Sequence, residues 1–207
     1  MTTRRVCVML DARAQSVLDE WFGAAGSVEF GHARRVWFKK NAAFDAVLLA
    51  RFGSMLEAAL TGSLAPWADT PEGALALILL LDQFTRNCFR GSPRAFAGDA
   101  QALELARTMV GQGDDLELPT PYHRVFAYMP FEHDETLNSQ REAVRLFQRL
   151  SDEASQADAK ELAAQLKYAH KHAEVIERFG RYPHRNEILG RETSAEERAW
   201  LEKKGGF

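Results

Sequence analysis

The run from Pro71 to Cys88 constrains this chain most. Its middle, Ala74 to Leu81, is eight apolar residues in succession, and Asp82, Gln83, Arg86 and Asn87 follow directly. On a helix such a run is apolar on every side, so it stabilises a fold only when other elements wrap it completely. It is too short to cross a bilayer, which takes about 18–20 residues. Pro71 suits a first helical turn, where its missing N–H would have no partner anyway. The spacing predicts a central helix over 71–88.

The wrapping elements also read as helices. Val17, Leu18, Trp21 and Phe22 share a stripe over 12–22, with Asp11 as N-cap. Phe44, Leu48, Phe52, Met55, Leu56 and Ala59 do the same over 41–61, between Asn41 and Gly62. Further helices are expected over 96–111, 121–129, 135–151 and 159–179, the third with Leu137, Val144, Phe147 and Leu150 inward. Pro130 to Asp134 reads as a turn at a helix N-terminus, with Asp134 as cap. Ser194-Ala-Glu-Glu197 is a capping box opening a last helix that buries Trp200 and Leu201. No alternating run argues for a strand. The fold class expected is all-α, stacked antiparallel helix pairs. Residues 1–10 are expected to form an N-terminal tail and 11–207 a single domain.

Composition narrows the function classes. With 46% apolar residues among 207, a core needs no disulfide or metal staple. Lys plus Arg is 26 against 29 Asp plus Glu, a net charge of −3, so no nucleic-acid or membrane partner is expected. Cys7 and Cys88 stand apart, in no zinc-ligand spacing, and Val6 to Leu10 is too short for a signal-peptide core. These features suit the cytoplasm. No cofactor motif occurs. The aromatic stretch 21–52 is a candidate homodimer patch.

Three segments set polar residues beside apolar ones. Asp82 and Arg86 share a helix face and read either as an internal ion pair or as an acid and a base at a pocket wall. His133 sits among Glu132, Asp134 and Glu135, which reads as a cap plus a surface histidine or as a proton-transfer group. Between Arg178 and Arg191 lie four arginines and His184 against one acid, Glu187, with Phe179, Tyr182 and Ile188 as anchors. Guanidinium forks match carboxylate or phosphate. Three readings stay open for this loop: ties to Asp82, Glu132 and Asp134, an anion pocket, or a protein-contact surface. His170 and His172, two apart, point to different sides of a helix. No metal set is read from the spacing of the histidines.

Several of these segments resemble one family. They include Glu20-Trp21-Phe22-Gly23, Trp37-Phe38, Phe44-Asp45, the run Leu75 to Asn87, and Phe89-Arg90-Gly91. Tyr128 to His133, Gln140, His172, Arg178 to Asn186 and Leu189-Gly190-Arg191 complete the pattern. The chain looks like a member of the bacterial domain-of-unknown-function 924 family over residues 16–207. It departs at Thr85, where proline is usual, at Asp134-Glu135-Thr136, which replaces Ser-Glu-Asp, and at Glu174, where Asp is common. The resemblance implies a tetratricopeptide-like superhelix and no particular reaction.

The resulting expectation is a polar pocket for an anionic small molecule. His133, His172 and His184 would transfer protons, since histidine alone titrates near neutrality unaided. Asp82 would orient a histidine or an arginine. Arg86, Asn87, Arg178, Arg181, Arg185, Asn186 and Arg191 would bind the anion. The competing expectation is a non-catalytic module that binds an acidic peptide.

Overall fold

The computed structural model describes residues 9–204, and these are all-helical. Cys7 and most of the expected tail lie outside the described residues. None of the described helices is long and apolar enough to cross a membrane.

Side chains start the first helices, at Asp11 and Asn41 as the sequence predicts. Asp11 accepts a hydrogen bond from the backbone N–H of Arg13 at the head of α1 (Ala12–Phe22). Asn41 accepts from Ala43 and Phe44 ahead of α2 (Ala42–Leu60), and Thr70 accepts from Gly73 ahead of α3 (Pro71–Ile78). The central helix then widens. Leu79–Phe84 is a π-helical stretch, and α4 (Thr85–Cys88) returns to α geometry. Every residue from Gly73 to Thr85 is buried. Around this rod pack Trp21, Phe52 and Phe126, the first two against Phe84 of the rod, with Trp21 edge-on to Phe126 at 5.3 Å.

The π turn is what brings chemistry into the core. Wide turns of this kind interrupt the regular ladder and recur at functional sites. Here Thr85 Oγ1 donates to Leu81 O at 2.8 Å, and Arg86 donates to Asp82 O at 2.7 Å, so both carbonyls are satisfied. Gly98, just ahead of α5 (Asp99–Gln112), lies against the same turn. A Cβ there would sit 2.4 Å from Leu81 O and 2.8 Å from its Cα. Only glycine fits at that distance.

The next helix corrects the sequence reading. α6 (Pro121–His133) runs straight through Pro130, where a turn was expected. Proline removes one intrahelical hydrogen bond and costs about 3 kcal/mol in a helix interior. Tertiary partners offset that loss by holding the last turn. The Gln140 amide lies 2.8 Å from Glu132 O and 2.6 Å from Asp134 O, Tyr182 donates to Glu132 O, and Arg185 donates to His133 O at 2.9 Å. His133 therefore ends a helix instead of preceding one. Thr136, not Asp134, caps α7 (Leu137–Asp152). Leu137 itself is exposed, because the first turn of α7 faces solvent on that side.

α7 packs along α8 (Ala159–Phe179), which ends at left-handed Gly180 (φ 67°). A short 3-10 turn, Pro183–Arg185, leads to α9 (Ala195–Lys204). The capping box forms as predicted, with Ser194 N–H donating to Glu197 at 2.7 Å and Glu197 N–H to Ser194 Oγ at 3.2 Å. Trp200 and Leu201 are only half-buried, since α9 reaches α8 near its C-terminal end alone, where Trp200 meets Phe179 at 5.7 Å.

Two outcomes follow for stability. Gly98→Ala drives a methyl into the Leu81 backbone and should cost about 2–3 kcal/mol or more, whereas Gly111→Ala, on an open face of α5, should be neutral or stabilising by up to ~1 kcal/mol. Urea unfolding of the two variants checks the contrast. His123 stacks on Phe22 at 3.8 Å, and burial pushes its pKa from 6.5 down to about 4. The folded state keeps that ring neutral while the unfolded chain takes a proton below 6.5. The contribution is thus complete above pH 6.5 and drains on acidification, by about 2 kcal/mol at pH 5. His123→Gln should remove most of this slope, and an unchanged slope would assign it to other groups.

Candidate functional site

Asp82 is fully buried in the π turn, and its carboxylate is surrounded by donors. His133 Nδ1 lies 2.7 Å from Oδ1, Gln83 Nε2 donates to Oδ2 at 2.6 Å, and Arg86 stands 3.1 Å from Oδ1. Burial works against this charge. The Arg86 guanidinium, then His133 and the two side-chain hydrogen bonds, outweigh burial and hold Asp82 well below the usual carboxylate range. The internal ion pair read from the sequence is formed, and the same carboxylate also contacts an imidazole.

Arg86 reaches further, to Asp99 at the start of α5, with two hydrogen bonds of 2.8 and 3.0 Å. Asp99 also faces Arg185 at 3.4 Å. Phe96 lies beneath both guanidiniums, 5.6 Å from Arg86 and 4.8 Å from Arg185. Arg185 is the less satisfied of the two. Beyond Asp99 and His133 O, its buried Nε has no hydrogen-bond partner among the described residues. Burial, and then the nearby charge of Arg86, both lower its pKa. A buried cation with spare donors next to another cation is a favourable place for an anion.

The second imidazole mirrors the first. His172 Nδ1 lies 2.7 Å from Glu132 Oε1 and 2.9 Å from Tyr168 O. Both neighbours are acceptors, so Nδ1 carries a hydrogen. The same logic applies to His133, whose Nδ1 faces the Asp82 carboxylate. Burial, then Arg86, lowers the His133 pKa and keeps the ring neutral at pH 7 against the opposing pull of Asp82. The two rings are 6.4 Å apart. Tyr182 stands 5.5 Å from both His172 and His184. His184 is pushed down to about 4, by burial first and then by Arg185 and the other histidines.

The structure thus brings together Asp82, Arg86, His133, His172, His184 and Arg185. It does not bring in the other candidates. Asn87 donates to Asp45 on α2 at 2.7 Å. Arg178 pairs with Glu196 at 2.7 Å on the surface. Arg181 grips Glu197 with bonds of 2.7 and 2.9 Å, and Arg191 grips Glu135 with bonds of 2.6 and 3.0 Å. Asn186 is fully buried beside Glu197. Arg181 and Arg191 tie the C-terminal loop to α9 and to the segment between α6 and α7, through partners other than the Asp134 considered from sequence. Sequence reasoning missed Asp99 and Phe96. Asp99 carries only the signature of a favourable first-turn acid, and nothing local links it to Arg86 or Arg185. No group of three or more His, Cys, Asp or Glu side chains among the described residues is arranged to hold a metal ion.

Residues 17–205 match the model of a family described as bacterial proteins of unknown function, DUF924. No curated protein matches the chain. A solved structure of a protein of unknown function from Agrobacterium tumefaciens is similar, at 39% identity and a TM-score of 0.79, over 93% of this chain and 98% of that one. On a family match spanning nearly its whole length, the chain belongs to the DUF924 family of bacterial proteins.

Proposed function

We propose that this protein is a cytoplasmic acid–base enzyme acting on a small anionic substrate, a phosphate or carboxylate ester. One observation carries the reading: two imidazoles with carboxylate-held Nδ1 atoms lie 6.4 Å apart beside an under-used buried guanidinium. His133, kept neutral by burial and Arg86, is the general base that activates water. His172, its Nδ1 held by Glu132, presents a second Nε2, and the proton that His133 takes from water passes by way of it to the leaving group. Asp82 and Glu132 are positioning residues that fix the two tautomers. Arg185 binds the anion with Arg86 beside it, and an incoming negative charge relieves the repulsion between the two guanidiniums. His184 lines the wall next to Tyr182.

The same proposal takes the helices as a tetratricopeptide-like superhelix. The three-residue return from α6 to α7, the six-residue return from α7 to α8 and the packing of successive helices on one another support that architecture.

Inorganic phosphate and citrate are the first probes. Either should raise the melting temperature of the wild-type protein, and Arg185→Lys should lose most of that rise while Arg181→Lys keeps it. A panel of phosphomonoesters and carboxylic esters should reveal turnover that falls by ~10²–10⁴-fold in His133→Gln. Its rate should decline on acidification below the ordinary histidine value as the base is protonated. An anion-induced shift that survives Arg185→Lys, or turnover indifferent to His133→Gln, contradicts the proposal.

A further inference from the structure

A separate feature lies on the opposite side of α8 from His172. Ala163, Leu166, Lys167, His170, Lys171, Glu174 and Arg178 recur at three- and four-residue steps, so they form one stripe along the helix. The stripe is about 22 Å long at 1.5 Å per residue. It lines a cavity of about 790 Å³, which Trp200 of α9 closes at one end. α7 covers the other flank of α8, whereas α9 covers only the C-terminal end. An additional helix would fit in the space that α9 leaves.

The chemistry of the stripe selects its occupant. Leu166, Val175 and Trp200 offer an apolar floor. Lys167 and Lys171 rise from it one turn apart, and His170 lies between them. Lys171 sits 4.6 Å from the ring centre of the exposed Tyr168. Arg178 is already taken by Glu196, but neither lysine belongs to an ion pair among the described residues. Glu174 is the only acid in the lining. This cationic stripe interrupts a chain whose net charge is −3. An apolar floor with a cationic edge complements an amphipathic helix that carries carboxylates along one side.

We infer that the α8 groove docks an acidic amphipathic helix of a partner protein, with its apolar residues over Leu166, Val175 and Trp200 and its carboxylates on Lys167 and Lys171. This surface is independent of the imidazole site and does not rest on the proposed reaction.

The test uses the full-length protein and a synthetic helical peptide, with leucines at three- and four-residue spacing flanked by glutamates. Labelled peptide anisotropy and Trp200 fluorescence report binding. The Glu peptide should bind in the micromolar range, more weakly as salt rises, and about tenfold more weakly to the Lys167→Glu/Lys171→Glu double variant. Both lysines are exposed, so the variant should keep its circular dichroism. A Lys-for-Glu version of the peptide should not bind. Four results overturn the inference. The Glu peptide fails to bind; the Lys peptide binds equally well; light scattering shows a dimer that the double variant dissociates, which gives the groove to a second copy; or the Glu peptide binds only a chain ending at Lys204, which gives it to the chain's own last residues.

Discussion

The Asp82 carboxylate is the constraint on which the rest depends. A fully buried charge survives only with a full set of partners, and removing one partner of a buried pair typically costs about 3–5 kcal/mol. Asp82 finds three such partners: Gln83 and Arg86 on its own helix, and His133 at the end of α6. The π turn makes this possible, because its extra width turns Asp82 toward α6 and leaves carbonyls that Thr85 and Arg86 then satisfy. Arg86 passes the constraint to Asp99, and Asp99 passes it to Arg185. The central rod, α5, α6 and the C-terminal loop are thereby fixed around one charge.

The C-terminal loop serves two purposes. Arg181 and Arg191 close bidentate pairs with Glu197 and Glu135, and these set the path of the loop between α8 and α9. Arg185, five residues or so from either tie, is thereby delivered to the polar cluster, stacked between Phe96 and Tyr182. Two arginines anchor the loop, and a third is held in the cluster with donors to spare. A loop held only by apolar contacts would not place a guanidinium so narrowly.

Much of this architecture is legible in the residues alone. Caps at Asp11, Asn41 and Ser194 announce themselves because the physics is local: a side-chain oxygen within reach of an unpaired N–H. The burial of the central run is equally plain, since no other placement hides eight consecutive apolar residues. Three features are not legible. The π turn depends on how Gly98 and Thr85 meet Leu81, and no periodicity encodes that contact. The helix through Pro130 depends on Gln140, Tyr182 and Arg185, which act from up to 55 residues away in sequence. The division of the arginines into loop ties and one held in the polar cluster depends on which acids stand opposite, and sequence lists the acids without placing them. His133, His172 and Arg185 were legible as candidates because their polarity sits beside apolar anchors. The carboxylates that orient the two imidazoles were legible only in part, Asp82 as a possible orienter and Glu132 as a neighbour of the wrong histidine.

The central claim is that two imidazoles are held with hydrogen on Nδ1. Histidine-selective ¹⁵N NMR reads the protonated nitrogen of each ring directly. At neutral pH the His133 signals should be those of a neutral ring protonated at Nδ1, His172 should carry a hydrogen on Nδ1, and Asp82→Asn should disturb His133 while leaving His172 as it was. Signals from rings protonated at Nε2 alone, or from rapidly exchanging rings, at these two positions would contradict the account.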